Sequence, residues 1–226
     1  DTVAVRCPDH PVARALIRAA GVPVVAPSAN LSGKPSPTDF AATFQDLNGK
    51  VPMIIDGGAC RVGVESTVVL PQGEALRILR PGAVTPEMLA PFAKEIIIDK
   101  NITHPVAAGE KVLSPGMKHR HYAPKAPLTI IRGEKSDVLA FLAAHQDDRT
   151  GILCFEGEMS GKNVVFYGKE DDDLSQSRAL FHALRAFDEM NVTQIYAREP
   201  RHNGVGLAVY NRLLRAASFE IKEVSP

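Results

Sequence analysis

The residues best suited to chemistry in this chain lie in the run Pro27-Ser28-Ala29-Asn30-Leu31-Ser32-Gly33-Lys34-Pro35-Ser36-Pro37-Thr38. Its serine hydroxyls, one amide and one cation suit a phosphate or a nucleotide, all the more with a helix N-terminus behind them. The same composition also describes a Pro/Ser-rich turn that only connects two elements. Three further clusters carry polar groups into apolar surroundings. In Gly63-Val64-Glu65-Ser66-Thr67-Val68-Val69 a hydroxyl pair enters a strand and can point at a ligand, or simply reflects the β-propensity of threonine. Arg80, before Pro81-Gly82, can clamp a phosphate or carboxylate in bidentate fashion or stand solvated on the surface. Arg6, at the end of an apolar alternation, is a carboxylate receptor or one half of a structural ion pair.

The remaining motifs exclude more than they suggest. His119-Arg120-His121-Tyr122 could open a metal site, but no third or fourth ligand is spaced nearby. A basic, aromatic lid with its phenol packed on a base or sugar fits better. Gly204-Val205-Gly206 lacks the third glycine of a dinucleotide fingerprint, and no Walker-A pattern occurs. Glu170-Asp171-Asp172-Asp173 reads as a solvated acidic loop. No nucleophile–base arrangement can be placed from spacing. The chemistry left is electrostatic: donors and cations around a polyanion.

These groups need an α/β frame to hold them. The pattern predicts strands over Val3–Arg6, Val22–Ala26, Pro52–Asp56, Glu65–Leu70 and Ala75–Leu79, the last two forming a hairpin across Pro71-Gln72-Gly73-Glu74. Helices are expected over Pro11–Ala20 and Asp39–Leu47, with Gly21 and Gly49 as C-terminal glycines, and a short one after Thr85-Pro86-Glu87. A short strand over Glu95–Asp99 opens an irregular, Pro-rich stretch that has the length of a linker or a functional lid. Beyond it the chain alternates: strands at Leu128–Arg132, Thr150–Phe155, Asn163–Tyr167 and Gln194–Ala197, with helices at Ser136–His145, Ser175–Met190 and Gly206–Ala217. Such alternation implies a parallel sheet covered by helices.

Composition bounds the partners. The chain has 226 residues, of which 45% are hydrophobic and 23% charged, in the range of a soluble globular protein. Lys+Arg and Asp+Glu balance at 26 each, which argues against a basic nucleic-acid-binding face over the whole surface, though not against a local patch. No apolar run reaches the length of a membrane span, so no membrane partner is expected. Cys7, Cys60 and Cys154 are too few and too widely spaced for a disulfide framework, which favours a cytoplasmic setting.

Read in order, Val3-Ala4-Val5-Arg6-Cys7-Pro8-Asp9-His10, Pro27-Ser28-Ala29-Asn30-Leu31-Ser32-Gly33, Glu65-Ser66-Thr67-Val68, Arg80-Pro81-Gly82 and His121-Tyr122-Ala123-Pro124 resemble the threonylcarbamoyl-AMP synthase family (YrdC-like) in its long, two-domain form. Gly206-Leu207-Ala208-Val209-Tyr210-Asn211-Arg212-Leu213 is similar to that family's second domain. The resemblance implies an α/β protein: an incomplete YrdC-like twisted mixed sheet over residues 1–93, a linker or lid over 94–127, and a small Rossmann-like parallel domain over 128–226. It implies formation of L-threonylcarbamoyladenylate and pyrophosphate from L-threonine, bicarbonate and ATP, with Mg2+ on the triphosphate, for threonylcarbamoyladenosine modification of tRNA. Arg6, Ala26 and Ser66 would then form the threonine pocket. Thr2, Ser28, Asn30, Ser36 and Arg80 would contact ATP, and Tyr122 would close over the nucleotide. No metal site of the chain's own is expected. A downstream threonylcarbamoyl transferase complex and contact with tRNA or double-stranded RNA are the further partners implied.

Family members begin with a segment carrying a Lys-x-Arg motif and a threonine-contacting threonine, and no part of this chain matches either. The expectation is therefore a C-terminal portion holding half of a nucleotide cleft, inactive on its own. Two other readings stay open: a non-catalytic nucleotide- or RNA-binding protein on the same scaffold, and the related carbamoyl transfer of hydrogenase maturation.

Overall fold

The structure, a computed structural model, describes residues 2–32, 34–107, 109, 113–114 and 122–225. Two sheets organise it. The first joins β1 (Val68–Gln72), β2 (Ala75–Arg80) and β3 (Glu95–Ile98), with β1 antiparallel and β3 parallel to β2. The second sets β4 (Leu128–Arg132), β5 (Thr150–Cys154), β6 (Val164–Phe166), β7 (Gln194–Arg198) and β8 (Ile221–Glu223) in the order β6-β5-β7-β4-β8, all parallel. The expected fold class, a mixed sheet and a parallel Rossmann-like sheet with helices, is the one observed.

Helix boundaries follow local chemistry. Helix α1 (Pro11–Ala20) starts on proline, whose missing N–H costs nothing there, and stops at Gly21 in the left-handed region at φ 64°. Asp39 caps α2 (Phe40–Leu47) by accepting from the Ala42 amide at 2.8 Å. Thr85 caps the short α3 (Pro86–Leu89), and Asp172 caps α5 (Asp173–Ala186), accepting from Ser175 N at 3.0 Å. The helix α4 (Lys135–Ala144) follows Glu134 without a side-chain cap and begins one residue before Ser136, where the sequence places its start. In α6 (Gly206–Ala216) every residue is buried, Asn211, Arg212 and Arg215 included. A helix enclosed on all sides yet carrying charge has to answer that charge within the protein.

Most apolar burial belongs to the second sheet and its helices, where Ile130, Leu153, Leu180, Leu184, Ala197 and Leu213 are fully enclosed. The first sheet is thinner, with Ile78 and Ile102 packed against Leu207 of α6. Three predicted strands do not form. Residues 3–6, 22–26 and 52–56 carry no ladder, and their apolar side chains face outward, Val5 at 91% and Val25 at 97% exposure. Alternation names a strand, but only a hydrogen-bonded neighbour makes one, and none of the described residues pairs with them. Strand β8 has no alternation strong enough to announce it; it forms because β4 offers an open edge to Ile221–Glu223.

The two sheets meet at a close backbone contact. Gly63 has φ 85°, and a Cβ there would lie 2.3 Å from the Ser177 carbonyl oxygen and 2.5 Å from Arg178 Cα, both on α5. Ser177 Oγ donates to Val62 O, and Arg178 Nε donates to Arg61 O at 2.6 Å, so α5 reads the backbone on either side of that glycine. Gly73, in the β1–β2 turn at φ 62°, has nothing within 4 Å of its would-be Cβ. Gly63→Ala is therefore expected to lose about 3 kcal/mol or more, from left-handed strain plus overlap, and Gly73→Ala only about 1 kcal/mol from strain. Urea midpoints of the two variants check this; equal losses would mean that the contact between Gly63 and α5 is not formed.

Candidate functional site

The site is built around Glu65, a residue that the sequence reading quoted within a motif but did not single out. Glu65 lies just before β1, facing the second sheet's helices. Its Oε1 accepts from Ser36 Oγ at 3.1 Å and its Oε2 from Arg212 Nε at 2.8 Å; Arg212 Nη2 also donates to the Glu65 carbonyl oxygen at 3.2 Å. The Tyr122 hydroxyl makes a further hydrogen bond to the same carboxylate. Burial opposes ionisation of Glu65, but the charge and hydrogen bond of Arg212 more than compensate, holding its pKa at about 2 against an ordinary 4.5. For Tyr122, burial first and the neighbouring Glu65 second push the phenol up to about 12, so it stays a neutral donor.

Arg80 ends β2 beside this cluster. Its Nε and Nη2 donate to the Ser66 carbonyl oxygen at 3.1 and 3.0 Å, which holds the guanidinium plane against the entry to β1. Burial and then the charge of Arg212 lower its pKa, partly offset by Glu65 and Tyr122; Arg6 is close enough to add to the lowering. Four cationic or donor side chains therefore share one region: Arg6, Arg80, Ser36 and Tyr122. An excess of positive charge around a single carboxylate favours an anion.

The polar loop is held from behind. Asp46 of α2, fully buried, accepts from Lys34 Nζ at 2.9 Å, from the Leu31 amide at 3.4 Å and from Arg185 Nη2 at 2.9 Å. Burial works against its ionisation, but the bonds from Arg185 and Lys34 keep its pKa below the ordinary value. Lys34 is thus committed to Asp46. Asn30 donates from Nδ2 to Leu31 O at 2.9 Å and Lys34 O at 3.1 Å, while its Oδ1 is buried without a partner among the described residues.

The predicted residues sort unevenly. Ser36 and Tyr122 meet at Glu65; Arg80 is held on the Ser66 carbonyl oxygen beside it, and Arg6 lies within electrostatic range of Arg80. Thr2, Ala26 and Ser28 lie exposed on segments without secondary structure. Tyr122, expected to close over the nucleotide, is packed within the protein. It is buried, at φ 67° in a region bulky side chains rarely occupy, and stacked on Phe181 of α5 with centroids 4.9 Å apart. Gly33 and the basic run Pro115–His121, including the His119 and His121 pair, fall outside the described residues. Cys7, Cys60 and Cys154 are all free thiols.

Both the sequence and the fold have known relatives. A family profile described as "Threonylcarbamoyl-AMP synthase, C-terminal domain" matches residues 84–218. The chain belongs to the threonylcarbamoyl-AMP synthase family. A second profile, named for the Sua5, YciO and YrdC proteins and described as "Telomere recombination", matches residues 1–82. Within the family, the chain is 43% identical over 226 residues to the threonylcarbamoyl-AMP synthase of Bacillus subtilis, covering 98% of this chain and 64% of that protein. It is 38% identical to the one from Pyrococcus abyssi, covering 99% of this chain and 66% of that protein. Among solved structures, that of P. abyssi Sua5 complexed with L-threonine superposes with a TM-score of 0.85 at 37% identity, over 100% of this chain and 66% of that one. The chain thus spans about two thirds of the length of the curated relatives it matches.

The Glu65–Arg212 pair makes a pH-dependent prediction. A carboxylate whose folded pKa is depressed to about 2 stabilises the fold fully above its ordinary 4.5 and loses that contribution as pH falls toward 2. The chain should exceed Glu65→Gln in unfolding free energy by about 3 kcal/mol near pH 6, because the glutamine leaves Arg212 buried without its counter-charge. That gap is expected to narrow steadily between pH 5 and pH 2. Urea titrations of both forms at several pH values read it, and a gap independent of pH would contradict the pairing.

Proposed function

We propose that this chain forms one wall of the cleft in which L-threonine, bicarbonate and ATP give L-threonylcarbamoyladenylate and pyrophosphate. The observation that carries the reading is the gathering of Ser36 and Tyr122 at Glu65 with Arg80 beside them on the Ser66 carbonyl, in a chain 43% identical to a named synthase. The threonine bound to the P. abyssi protein supports an amino-acid site in that same scaffold.

In this reading Arg6 holds the threonine carboxylate, with Ala26 and Ser66 lining the pocket. Thr2, Ser28, Asn30, Ser36 and Arg80 face ATP, and Tyr122 contributes through its hydroxyl. Asn30 Oδ1, buried without a partner among the described residues, suits a ribose hydroxyl or an exocyclic amine. Threonine's amine adds to bicarbonate with loss of water, giving a carbamate. A carbamate oxygen attacks the α-phosphorus of ATP, and the bond to the leaving pyrophosphate breaks. Such a displacement needs alignment and neutralisation of charge, not a covalent nucleophile, which fits a site of arginines and hydroxyls. Mg2+ would accompany the triphosphate. Glu65 is taken up by Arg212, Ser36 and Tyr122, so the ion would rest on phosphate oxygens and water.

The division into a catalytic part over 1–93, a linker over 94–127 and a C-terminal domain over 128–226 belongs to the same proposal, with the two sheets as its support. So do a cytoplasmic setting, delivery of the adenylate to a threonylcarbamoyl transferase complex, and contact with tRNA. Among the described residues no helix is long and apolar enough to cross a membrane. The relatives compared here are named as synthases, and none favours a hydrogenase-maturation or purely binding role.

The test is pyrophosphate release from ATP by the product of the complete open reading frame that encodes this chain. Release is expected to require both threonine and bicarbonate, and Arg80→Ala is expected to lower kcat/KM on the order of 100-fold. Release that ignores threonine would overturn the reading.

A further inference from the structure

Two arginines reach from the helices of the second sheet to the polar loop of the first, and they converge on one residue. Arg185 of α5 donates from Nη2 to the Pro35 carbonyl oxygen, and from the same nitrogen to Asp46 Oδ2 at 2.9 Å. Arg212 of α6, with no exposed side-chain surface, holds Glu65, whose other oxygen takes the Ser36 hydroxyl. Its remaining Nη1 donates to Asn211 Oδ1 at 2.9 Å, and Asn211 Nδ2 donates to Ile102 O at 2.7 Å, which anchors the guanidinium within α6. Ser36 is therefore fixed twice: through the peptide before it by Arg185, and through its hydroxyl by the carboxylate that Arg212 holds.

We propose that Arg185 and Arg212 are positioning residues through which the C-terminal unit sets the placement of Ser36, and with it the affinity of the cleft for ATP. The proposal rests on Ser36 facing ATP, as in the reading above. Two features distinguish this from a mere fastening of two units. Buried ion pairs are a poor adhesive, because desolvation offsets most of their attraction, and apolar side chains would hold the contact as well. Arg185 even leaves its Nε buried without a partner among the described residues. Both guanidinium groups also end on the backbone or acidic groups that bracket Ser36, where a shift of about 1 Å would move a ligand-facing hydroxyl out of hydrogen-bonding range.

The experiment uses the product of the complete open reading frame, with ATP binding measured by calorimetry and turnover by threonine-dependent pyrophosphate release. Arg185→Gln is expected to raise the ATP Kd and KM about 10-fold while leaving the KM for threonine within about 2-fold. In a Ser36→Ala background the same change should add less than about 3-fold, because the arginine acts through a hydroxyl no longer present. Arg185→Lys, which keeps the charge but loses the fork, should recover part of the affinity. Arg212→Lys should behave like Arg185→Gln; if it fails to fold, Arg185, at 15% side-chain exposure, carries the test alone. Fully multiplicative effects of Arg185→Gln and Ser36→Ala on ATP affinity would overturn the proposal. So would equal losses in every kinetic parameter, or wild-type affinity in a folded Arg185→Gln. A wild-type protein that binds ATP but shows no threonine-dependent turnover would instead defeat the functional reading, while the coupling stays readable in Kd.

Discussion

A carboxylate enclosed by protein is unstable unless something replaces the water it has lost. Glu65 obtains that replacement from Arg212, and Arg212, enclosed within α6, depends equally on Glu65. Removing either partner would leave the other's charge unanswered in a largely enclosed place. Because the two lie on different sheet units, the pair also decides how those units sit against each other. The Ser36 hydroxyl and the Tyr122 phenol adjoin the carboxylate, so these side chains are arranged by the same interaction that joins the two sheet units. Gly63, two residues before Glu65, shows the tolerance: its missing side chain is what lets α5 come close enough for α6 to reach the carboxylate.

The second sheet has the form in which α/β proteins usually bind ligands, at the carboxyl ends of parallel strands. Here that edge is occupied by its own charges. Arg132 at the end of β4 is held by Glu199 and by the Tyr210 hydroxyl at 2.7 Å. Arg198 at the end of β7 is held by Glu158 at 3.2 Å and Glu170 at 3.0 Å. With the cations answered internally, this unit acts on the rest of the protein through the sides of α5 and α6. The side chains that matter for the site, Arg185, Arg212 and the Phe181 platform under Tyr122, all project from those two helices.

Much of the fold was legible because local rules and tertiary structure agree there. Pro11 and Gly21 delimit α1, Asp39 caps α2, and the strand–helix alternation after residue 128 forms the parallel sheet it implies. The failures have separate causes. Residues 3–6, 22–26 and 52–56 have strand patterns but no ladder partner, and pattern without pairing leaves extended chain. Ser136 is a better cap by type than Glu134, yet α4 begins at Lys135, where the register of β4 and its turn delivers the chain. Strand β8 is short and mostly exposed, so edge pairing alone defines it.

The site divides along the same line. Residue types and order were enough to gather Arg6, Ser36, Ser66, Arg80 and Tyr122 as candidates and to point to anion chemistry, because hydroxyls, guanidinium groups and turn residues carry that meaning wherever they stand. What sequence could not show is that Glu65 is the hub, that Lys34 is spent on Asp46, or that Tyr122 is packed on Phe181. Those facts depend on Glu65 meeting Arg212 and Asp46 meeting Arg185, pairs more than a hundred residues apart in the chain. No periodicity records such a meeting. It is decided when α5 and the fully enclosed α6 pack in place and carry their charged residues to where a counter-charge lies.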